Sequence, residues 1–270
     1  MKSLAAPIAL AIAVLLGGTQ QQASNPRAGW PCGARLDPSY FQIAEGSGGH
    51  LLLLSPEEIA DSTALLTAFG HHPQTVFRLA GSLTPGPHEF RVPIDPSVES
   101  VLFSVSVQCL QTVDLVQPSG LPASGEEVTT LSNFRAERMM IIKRPEPGVW
   151  TVSVSGSGVA GVVVQARTAI GISDVQFAPA QSANFSAIPS AGAENAVRIR
   201  LGGNLAEMQA SLVSGVLAPI VRLPLEVNET DGSYRSHFTP GQGGFRVLIV
   251  GKDSEGNPVQ RMYAPLITAR

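Results

Sequence analysis

Short runs in which apolar and polar residues alternate cover most of the chain after residue 75. Alternation with a period of two residues is typical of strands that bury one face. Gly, Pro, Asp and Ser separate the runs at regular spacing, as turns do in antiparallel β-sandwiches. The runs are residues 90–94, 101–107, 112–116, 138–143, 149–154, 159–167, 196–201, 210–213, 221–227, 244–251 and 259–263. We therefore predict a mainly β protein with two antiparallel β-sandwich domains.

Two apolar elements precede these strands. Four leucines at residues 51–54 are typical of a buried strand, and the Gly-rich segment 46–49 predicts a turn before it. Ser55 can cap a following helix that opens with Pro-Glu-Glu, so we predict a helix over residues 56–69. The leucine run is too apolar to be exposed. We expect it to pack against the first sandwich, with the helix covering it.

The chain begins with the features of an export signal. Lys2 supplies a positive charge, and residues 4–16 form an apolar run that is too short to span a bilayer comfortably. We predict that residues 1–23 are a signal peptide and that the mature protein has no membrane span. The alternative is an uncleaved N-terminal anchor.

The low content of charged residues bears on which class of partner the protein binds. Only 14% of the residues are charged, and the net charge is -3. Nucleic-acid binding requires a basic face, so this composition argues against nucleic acid as a partner.

The chain has two cysteines, Cys32 and Cys109. If the protein is exported, the oxidising compartment favours a disulfide, which would close a long loop. The alternative is a pair of free thiols, with Cys109 buried in its strand. Sequence does not supply the Cα separation on which the choice depends.

A Pro-x-Pro-Gly-x-Trp-Thr-Val motif at residues 145–152 is the most specific local pattern of the first sandwich. Its turn delivers Trp150 to the start of a strand, with Val152 and Val154 on the same face. We predict that Trp150 is a core residue, because its neighbours on that face are apolar. The alternative is an exposed platform on which a sugar stacks. The Gly-Ser-Gly sequence at 156–158 is predicted to form the hairpin turn after this strand.

Three segments of the chain resemble known domains, in a distinctive order. The Ile-Ala-Glu-Gly-Ser-Gly-Gly turn at 43–49 and the leucine strand resemble the end of a von Willebrand factor A domain. The Pro-x-Pro-Gly-x-Trp-Thr-Val motif resembles the penultimate strand of galactose-binding-like jelly rolls. The Val-Gly-x-Asp-x-x-Gly-x-x-x-x-Arg run at 250–261 contains a predicted hairpin and fits an immunoglobulin-like sandwich. This order is similar to the region after the A domain in hemicentins and in von Willebrand factor A domain-containing protein 7.

The resemblance implies an architecture and a function. After the leader predicted at 1–23, it implies a linker with a βα remnant of an A domain at 24–72, a jelly roll at 73–170 and an immunoglobulin-like sandwich at 171–270. It also implies a secreted, non-enzymatic binding or adhesion-type protein, extracellular or periplasmic, whose ligand is an extracellular protein or glycan. The alternatives are a carbohydrate-binding accessory module and a secreted hydrolase. No Asp-x-Ser-x-Ser loop occurs, so the metal-dependent binding of A domains is not carried over.

Other candidate chemistry is sparse, and we predict no catalytic residue, cofactor or metal. His71 and His72 are the one paired imidazole, and their position in a linker favours solvated loop histidines over a metal site. Asp253, Glu255 and Asn257 alternate as in a calcium loop, but the predicted hairpin turn explains them and the EF-hand pattern fails. Oligomeric state does not follow from the sequence.

Overall fold

The computed structural model describes residues 10–13, 32–33, 36–182 and 184–270. They form a mainly β protein whose two larger sheets are antiparallel, as the sequence predicts. The predicted leader at 1–23 lies outside the described residues apart from residues 10–13.

The N-terminal segment contains two short strands and two helices. Its elements are β1 Leu10–Ala13, α1 Pro38–Ser47, β2 His50–Leu53, a 3-10 helix Ile59–Ser62 and α2 Thr63–His71. Strands β1 and β2 pair in parallel. Asp37 caps α1 by accepting a hydrogen bond from the Ser39 backbone N–H, and Gly48 ends it in the left-handed conformation.

The second predicted helix begins later than the sequence pattern indicates. Residues 56–58 form a turn and the 3-10 helix follows, so the α-helix starts at Thr63 rather than at Pro56. The carboxylate of Glu58 accepts hydrogen bonds from the backbone N–H groups of Ser55 and Arg135, at 2.7 and 2.9 Å. The bond from Arg135 ties the turn to the first sandwich, and the bond from Ser55 closes the turn itself. Together they replace the predicted first turn of helix.

The leucine strand packs where the sequence predicts. Leu52 and Leu54 form one buried cluster with Leu65 of α2 and with Leu102 and Met139 of the first sandwich. The strand therefore lies between the helix and the sandwich, which confirms the predicted packing.

The first sandwich is built from long strands rather than short ones. Its strands are β3 Gln74–Ile94, β4 Val98–Val116, β5 Val128–Asn133, β6 Glu137–Lys143 and β7 Gly148–Thr168. Val76 and Val92, from the two ends of β3, lie in the same buried cluster as Trp150 and Val162, from the two ends of β7. The strands therefore bend so that the sheet closes over its own core.

The predicted hairpin turn at Gly156-Ser157-Gly158 is wrong, because β7 runs through it without reversing. The predicted strands 149–154 and 159–167 are two halves of β7, as 101–107 and 112–116 are of β4. The β4–β7 pairing shifts register on either side of Cys109, and such bulges bend a strand. Gly156 lies at this bend, where a Cβ would be only 2.7 Å from the carbonyl oxygen of Cys109.

The second sandwich has two facing layers. One layer contains β8 Gly171–Pro179, β9 Asn195–Gly202, β12 Glu226–Asn228 and β13 Ser233–Phe238; the other contains β10 Ala206–Val213, β11 Pro219–Leu223, β14 Arg246–Lys252 and β15 Pro258–Met262. Phe177, Phe238 and Phe245 meet edge to face between the layers. The predicted hairpin joins β14 to β15, with Gly256 at a φ of 87°.

The two sandwiches share one sheet. Met262 of β15 pairs with Thr75 of β3, so the strands of the described residues run in the order β11-β10-β14-β15-β3-β7-β4-β6-β5. This pairing sets the two sandwiches side by side, with the N-terminal segment against their junction.

Candidate functional site at the junction of three segments

A buried carboxylate connects α1 to both sandwiches. Glu45 of α1 accepts hydrogen bonds from the Nε and Nη2 of Arg78 on β3, at 3.1 and 2.8 Å. Its other oxygen accepts from the Nη2 of Arg246 on β14. All three side chains are almost fully buried. A buried charge requires a partner, so this triad holds the three segments in one arrangement.

Arg78 also fixes the turn between α1 and β2. Its guanidinium donates to the carbonyl oxygens of Ala44, Gly48 and Gly49, at 3.2, 3.1 and 2.6 Å. Burial lowers the pKa of Arg78 from its ordinary value, while the Glu45 charge opposes that effect. The hydrogen bonds from the Arg78 guanidinium thus fix the conformation of the Gly-rich turn.

A second buried ion pair joins the sandwiches directly. Arg261 of β15 donates to the carboxylate of Asp95, at 2.7 Å, and both side chains have no solvent exposure. The same guanidinium donates to the carbonyl oxygen of Ile170, at 2.6 Å, and to the Oγ1 of Thr168, at 2.9 Å. Asp95 lies in the turn between β3 and β4, so the pair joins the first sandwich to the last strand of the second.

A cavity of about 330 Å³ lies where the three segments meet. The α1–β2 turn, the end of α2, the start of β3, β8 and the residues after β15 all contribute to its wall. Its wall combines apolar groups, among them Phe69 and Met262, with the polar side chains of His50, Gln165 and Tyr263. A concave, mixed surface of this kind is typical of small-molecule sites.

His50 is the distinctive group of this cavity, which we call the junction cavity. Its ring is 4% exposed and stacks on Phe69, with the ring centroids 3.5 Å apart. Its Nε2 lies 3.1 Å from the Oε1 of Gln165, while Nδ1 has no hydrogen-bond partner within the described structure. Burial, and then the charge of Arg78, lower the pKa of His50 to about 3. The imidazole is therefore neutral at pH 7.

Tyr263 faces the junction cavity from the end of the second sandwich. Burial and the charge of Asp174 raise the pKa of its phenol. The hydroxyl therefore stays protonated at neutral pH and is able both to donate and to accept a hydrogen bond.

The structure places the residues singled out from the sequence away from the junction cavity. Trp150 is 1% exposed in the first core, and its Nε1 donates to the carbonyl oxygen of Glu146, at 2.8 Å. Cys32 and Cys109 form a disulfide with a Cα separation of 4.9 Å. The disulfide ties the segment before α1 to the bend of β4.

The prediction of solvated loop histidines is wrong for His72. Its side chain is buried, with Nδ1 2.7 Å from the carbonyl oxygen of Ala68 and Nε2 3.0 Å from the Oγ of Ser100. Burial lowers the pKa of His72. His71 is exposed. His72 is thus a structural residue that fixes the end of α2 on β4.

The residues that resemble a calcium loop stabilise the turn between β14 and β15. Asp253 accepts hydrogen bonds from the backbone N–H groups of Glu255 and Asn257, both within 2.9 Å, and from the Asn257 side chain. Over the described ranges, no group of three or more His, Cys, Asp and Glu side chains is placed to hold a metal ion.

The junction cavity could not be found from the sequence, because His50 and Gln165 are 115 positions apart. A weaker signal was present. Arg78 interrupts the apolar run 76–80, and a charged residue in such a run indicates a buried partner. That signal points to an ion pair but does not name Glu45.

None of the helices formed by the described residues is both long and apolar enough to cross a membrane.

Comparison with known families agrees with the predicted resemblance for the first sandwich. Residues 75–169 match the family described as hemicentin galactose-binding domain-like. The first sandwich is therefore similar to the galactose-binding-like jelly roll of hemicentins. Among individual proteins, it is similar to hemicentin-2 of the mouse, Mus musculus, with 23% identity over 252 residues. That similarity covers 86% of this chain and 5% of hemicentin-2, so the chain spans a small part of its relative.

Two solved structures show weaker likeness. A Bacillus licheniformis lipase, BlEst2 in its propeptide form, has a TM-score of 0.37 and 13% identity, covering 70% of this chain and 40% of the lipase chain. The tandem Ig repeats of Dlar have a TM-score of 0.26 and 13% identity, covering 69% of this chain and 99% of theirs.

Proposed function

We propose that this chain is a secreted, non-enzymatic binding module of adhesion type, like the hemicentin region that it resembles. The single observation that carries the proposal is the match of residues 75–169 to the hemicentin galactose-binding domain-like family. The similarity to hemicentin-2, which continues beyond that domain, supports the same reading.

Two further features support an extracellular location. The Cys32–Cys109 disulfide is of the kind that persists in oxidising compartments. The apolar run at 4–16 has the length and the preceding charge of an export signal. The proposal takes residues 1–23 as removed on export, with the mature protein comprising the segment 24–72 and the two sandwiches at 73–170 and 171–270.

The roles of the buried charged groups support a binding function over catalysis. Glu45 forms buried ion pairs with Arg78 and Arg246, and Asp95 forms one with Arg261. Charged groups that are engaged in buried ion pairs hold the segments together and are not accessible to a substrate.

Expression with the native leader in a secreting host tests the location. We expect the protein in the medium, with an N-terminus after the leader and with no free thiol by mass spectrometry. Protein retained in the cytosol with both cysteines reduced would contradict it.

Adhesion is tested with beads that carry the folded protein, applied to a glycan array and to deposited extracellular matrix, with heat-unfolded protein as the control. We expect binding that requires the folded protein. Failure to bind either surface, or folded-protein-dependent hydrolysis of ester or glycoside substrates, would count against an adhesion module.

A further inference from the structure

We propose that the edge of β2 binds an extended, apolar strand of a partner protein, which adds to β2 in parallel. This inference deepens the proposed function by naming the surface that binds and the chemical character of the segment bound. It rests on that function for the removal of residues 1–23, which contain β1.

The strand that pairs with β2 in the structure belongs to the predicted leader. Leu10–Ala13 pairs in parallel with His50–Leu53, residue for residue and without a register shift. Among the described residues, β1 is the one strand that pairs with β2, which lies against β4 and β7 without joining their sheet. Removal of the leader on export therefore leaves β2 with an unpaired edge.

An unpaired strand edge is a template for another polypeptide. Its backbone N–H and C=O groups alternate at a spacing that a second extended backbone matches, so main-chain hydrogen bonds supply affinity. Edge strands that avoid such pairing carry charged residues or proline. The sequence of β2 is a histidine followed by three leucines, and His50 is neutral at pH 7. Neither a charge nor a proline within β2 opposes the addition of a strand.

An apolar cavity of about 230 Å³ lies beside this edge, and we call it the edge cavity. Leu51 and Leu53 of β2 line it together with Tyr40 and Phe41 of α1. Alternate residues of a strand share one face of the sheet. Leu52, between the two, packs instead in the buried cluster with α2. The edge cavity is therefore on one face of the sheet that β2 forms with an added strand.

The register specifies which positions of the partner strand face the edge cavity. In the parallel pairing these are the positions opposite Leu51 and Leu53. Bulky apolar side chains there would be removed from water, which favours binding. Charged side chains there would lose water without gaining a partner, because the one charged residue of the wall, Asp37, already caps α1. The partner is therefore a strand with apolar residues at two alternate positions.

Binding is measured by NMR titration of the secreted mature chain with the acetylated, amidated octapeptide KKVLVLKK. Its four central residues take the places of residues 10–13, so its leucines lie opposite Leu51 and Leu53. We expect a dissociation constant of about 1 mM or tighter, with slower hydrogen exchange at amides of β2. A weaker dissociation constant, or exchange in β2 that the peptide leaves unchanged, would overturn the proposal.

Two matched peptides separate side-chain burial from backbone pairing. KKVDVDKK places aspartates at the edge cavity and should bind about tenfold more weakly or less. N-methylation of the four central amides of KKVLVLKK removes its backbone donors and should abolish binding. An affinity equal to that of KKVLVLKK in either control would contradict strand addition.

A paramagnetic label on the peptide reports the direction of the added strand. In a parallel arrangement, a label at the N-terminus of the peptide should broaden the resonances of His50 more than those of Leu53. A label at the C-terminus should do the opposite. The reversed pattern would overturn parallel addition.

A variant that leaves β2 intact tests the edge cavity. Ser82 is exposed and lines this cavity, so Ser82→Trp should fill it and weaken peptide binding about tenfold or more. Thr129→Trp, at an exposed position on β5, is the matched control and should bind normally. Unchanged affinity in Ser82→Trp would overturn the proposal.

The uncleaved chain supplies an internal competitor. With residues 1–23 retained, β1 occupies the edge of β2, so the peptide should bind this chain more weakly than the mature chain. Equal affinity for the two chains would place the peptide elsewhere and overturn the proposal. Sedimentation of the mature chain should show a monomer. A dimer that the peptide dissociates would assign the edge to a second copy of the chain, against a partner protein.

The bead assay distinguishes failure of this inference from failure of the proposed function. If the peptide does not bind the mature chain and its beads still adhere, the inference fails and the adhesion function stands. If the peptide binds at β2 and the beads adhere to nothing, the adhesion function fails and the strand-binding edge stands.

Discussion

Trp150 carries a large share of the first core. Its ring is 1% exposed and lies 5.7 Å from the Phe103 ring, centroid to centroid. Its Nε1 also has a partner, the carbonyl oxygen of Glu146. The residue therefore satisfies both requirements of a buried tryptophan, apolar contact and a hydrogen bond for its one polar atom.

We expect Trp150→Ala to lower the free energy of unfolding by about 3–5 kcal/mol, because it opens a cavity in a closed core. Urea unfolding followed by circular dichroism measures the loss. Val149→Ala, one position earlier and on the exposed face, is the control and should change little. An unchanged free energy of unfolding in Trp150→Ala would contradict the position of the Trp150 ring in the first core.

Glu137 is a carboxyl group in the interior of the first sandwich. It has no solvent exposure, and the hydroxyls of Ser104 and Ser106 lie against its two oxygens. Burial raises its pKa to about 8, against the smaller opposing effects of the two serines and Arg138. The protonated acid is therefore the form that the fold favours at neutral pH.

This raised pKa makes stability depend on pH in a defined direction. The folded state keeps a proton on Glu137 that the unfolded state releases near 4.5, so stability falls as pH rises from 4.5 through 8. Over this whole range, the free energy of unfolding falls by about 5 kcal/mol. Glu137→Gln imitates the protonated acid and should remove this fall.

The test compares unfolding by urea at pH 5 and pH 8.5 in the two proteins. His50, whose folded pKa is lowered, contributes a loss of stability on the acid side in both proteins, so the difference between them isolates Glu137. An identical pH profile for Glu137→Gln and the wild type would refute the assignment.

At the residue scale, alternation was enough to predict Trp150, because one strand face contains Trp150, Val152 and Val154. It was not enough for His50. The role of His50 depends on a contact with Gln165 that only the folded chain creates. His72 shows the same limit, because its partner Ser100 lies in a different element.

The elements α1, β2 and α2 attach the N-terminal segment to the two sandwiches. The Glu45 carboxylate forms ion pairs with both Arg78 and Arg246. Leu52 and Leu54 pack in the same buried cluster as Leu102 and Met139. Without this segment the first sandwich would expose apolar side chains, and both sandwiches would keep a buried arginine without its carboxylate.

We expect deletion of residues 24–72 to lower the melting temperature of the sandwiches. Because the deletion removes Cys32, it is made together with Cys109→Ser and compared with the full chain carrying Cys32→Ser and Cys109→Ser. Thermal unfolding by circular dichroism measures the difference. Equal melting temperatures would indicate that the segment is completed by a partner rather than by these sandwiches.

The elements also show where a sequence pattern stops being sufficient. The hairpin between β14 and β15 was predictable, because Gly256 and the Asp253 turn are local features. The long strands β4 and β7 were not. Whether a Gly-Ser-Gly sequence turns or only bends depends on the neighbouring strand, here on the carbonyl of Cys109 packed against Gly156.

The described residues form one body rather than two modules on a linker. The shared sheet joins the sandwiches through β3 and β15, and Asp95–Arg261 closes the same junction. The fold class of each half was predictable from alternation and turn spacing. Their union was not, because it depends on a single strand pairing and on buried ions whose partners are distant in sequence.

The same union forms the junction cavity, since all three segments contribute to its wall. Arg261→Met should loosen it, because the substitution leaves the Asp95 carboxylate buried without its cation. The variant is therefore expected to uncouple the two sandwiches as well as to lower stability.

Differential scanning calorimetry of the full, disulfide-linked chain tests the central claim that the three segments form one cooperative unit. The structure predicts a single transition in the wild type, with equal calorimetric and van't Hoff enthalpies. Two resolved transitions in the wild-type chain, one for each sandwich, would contradict it.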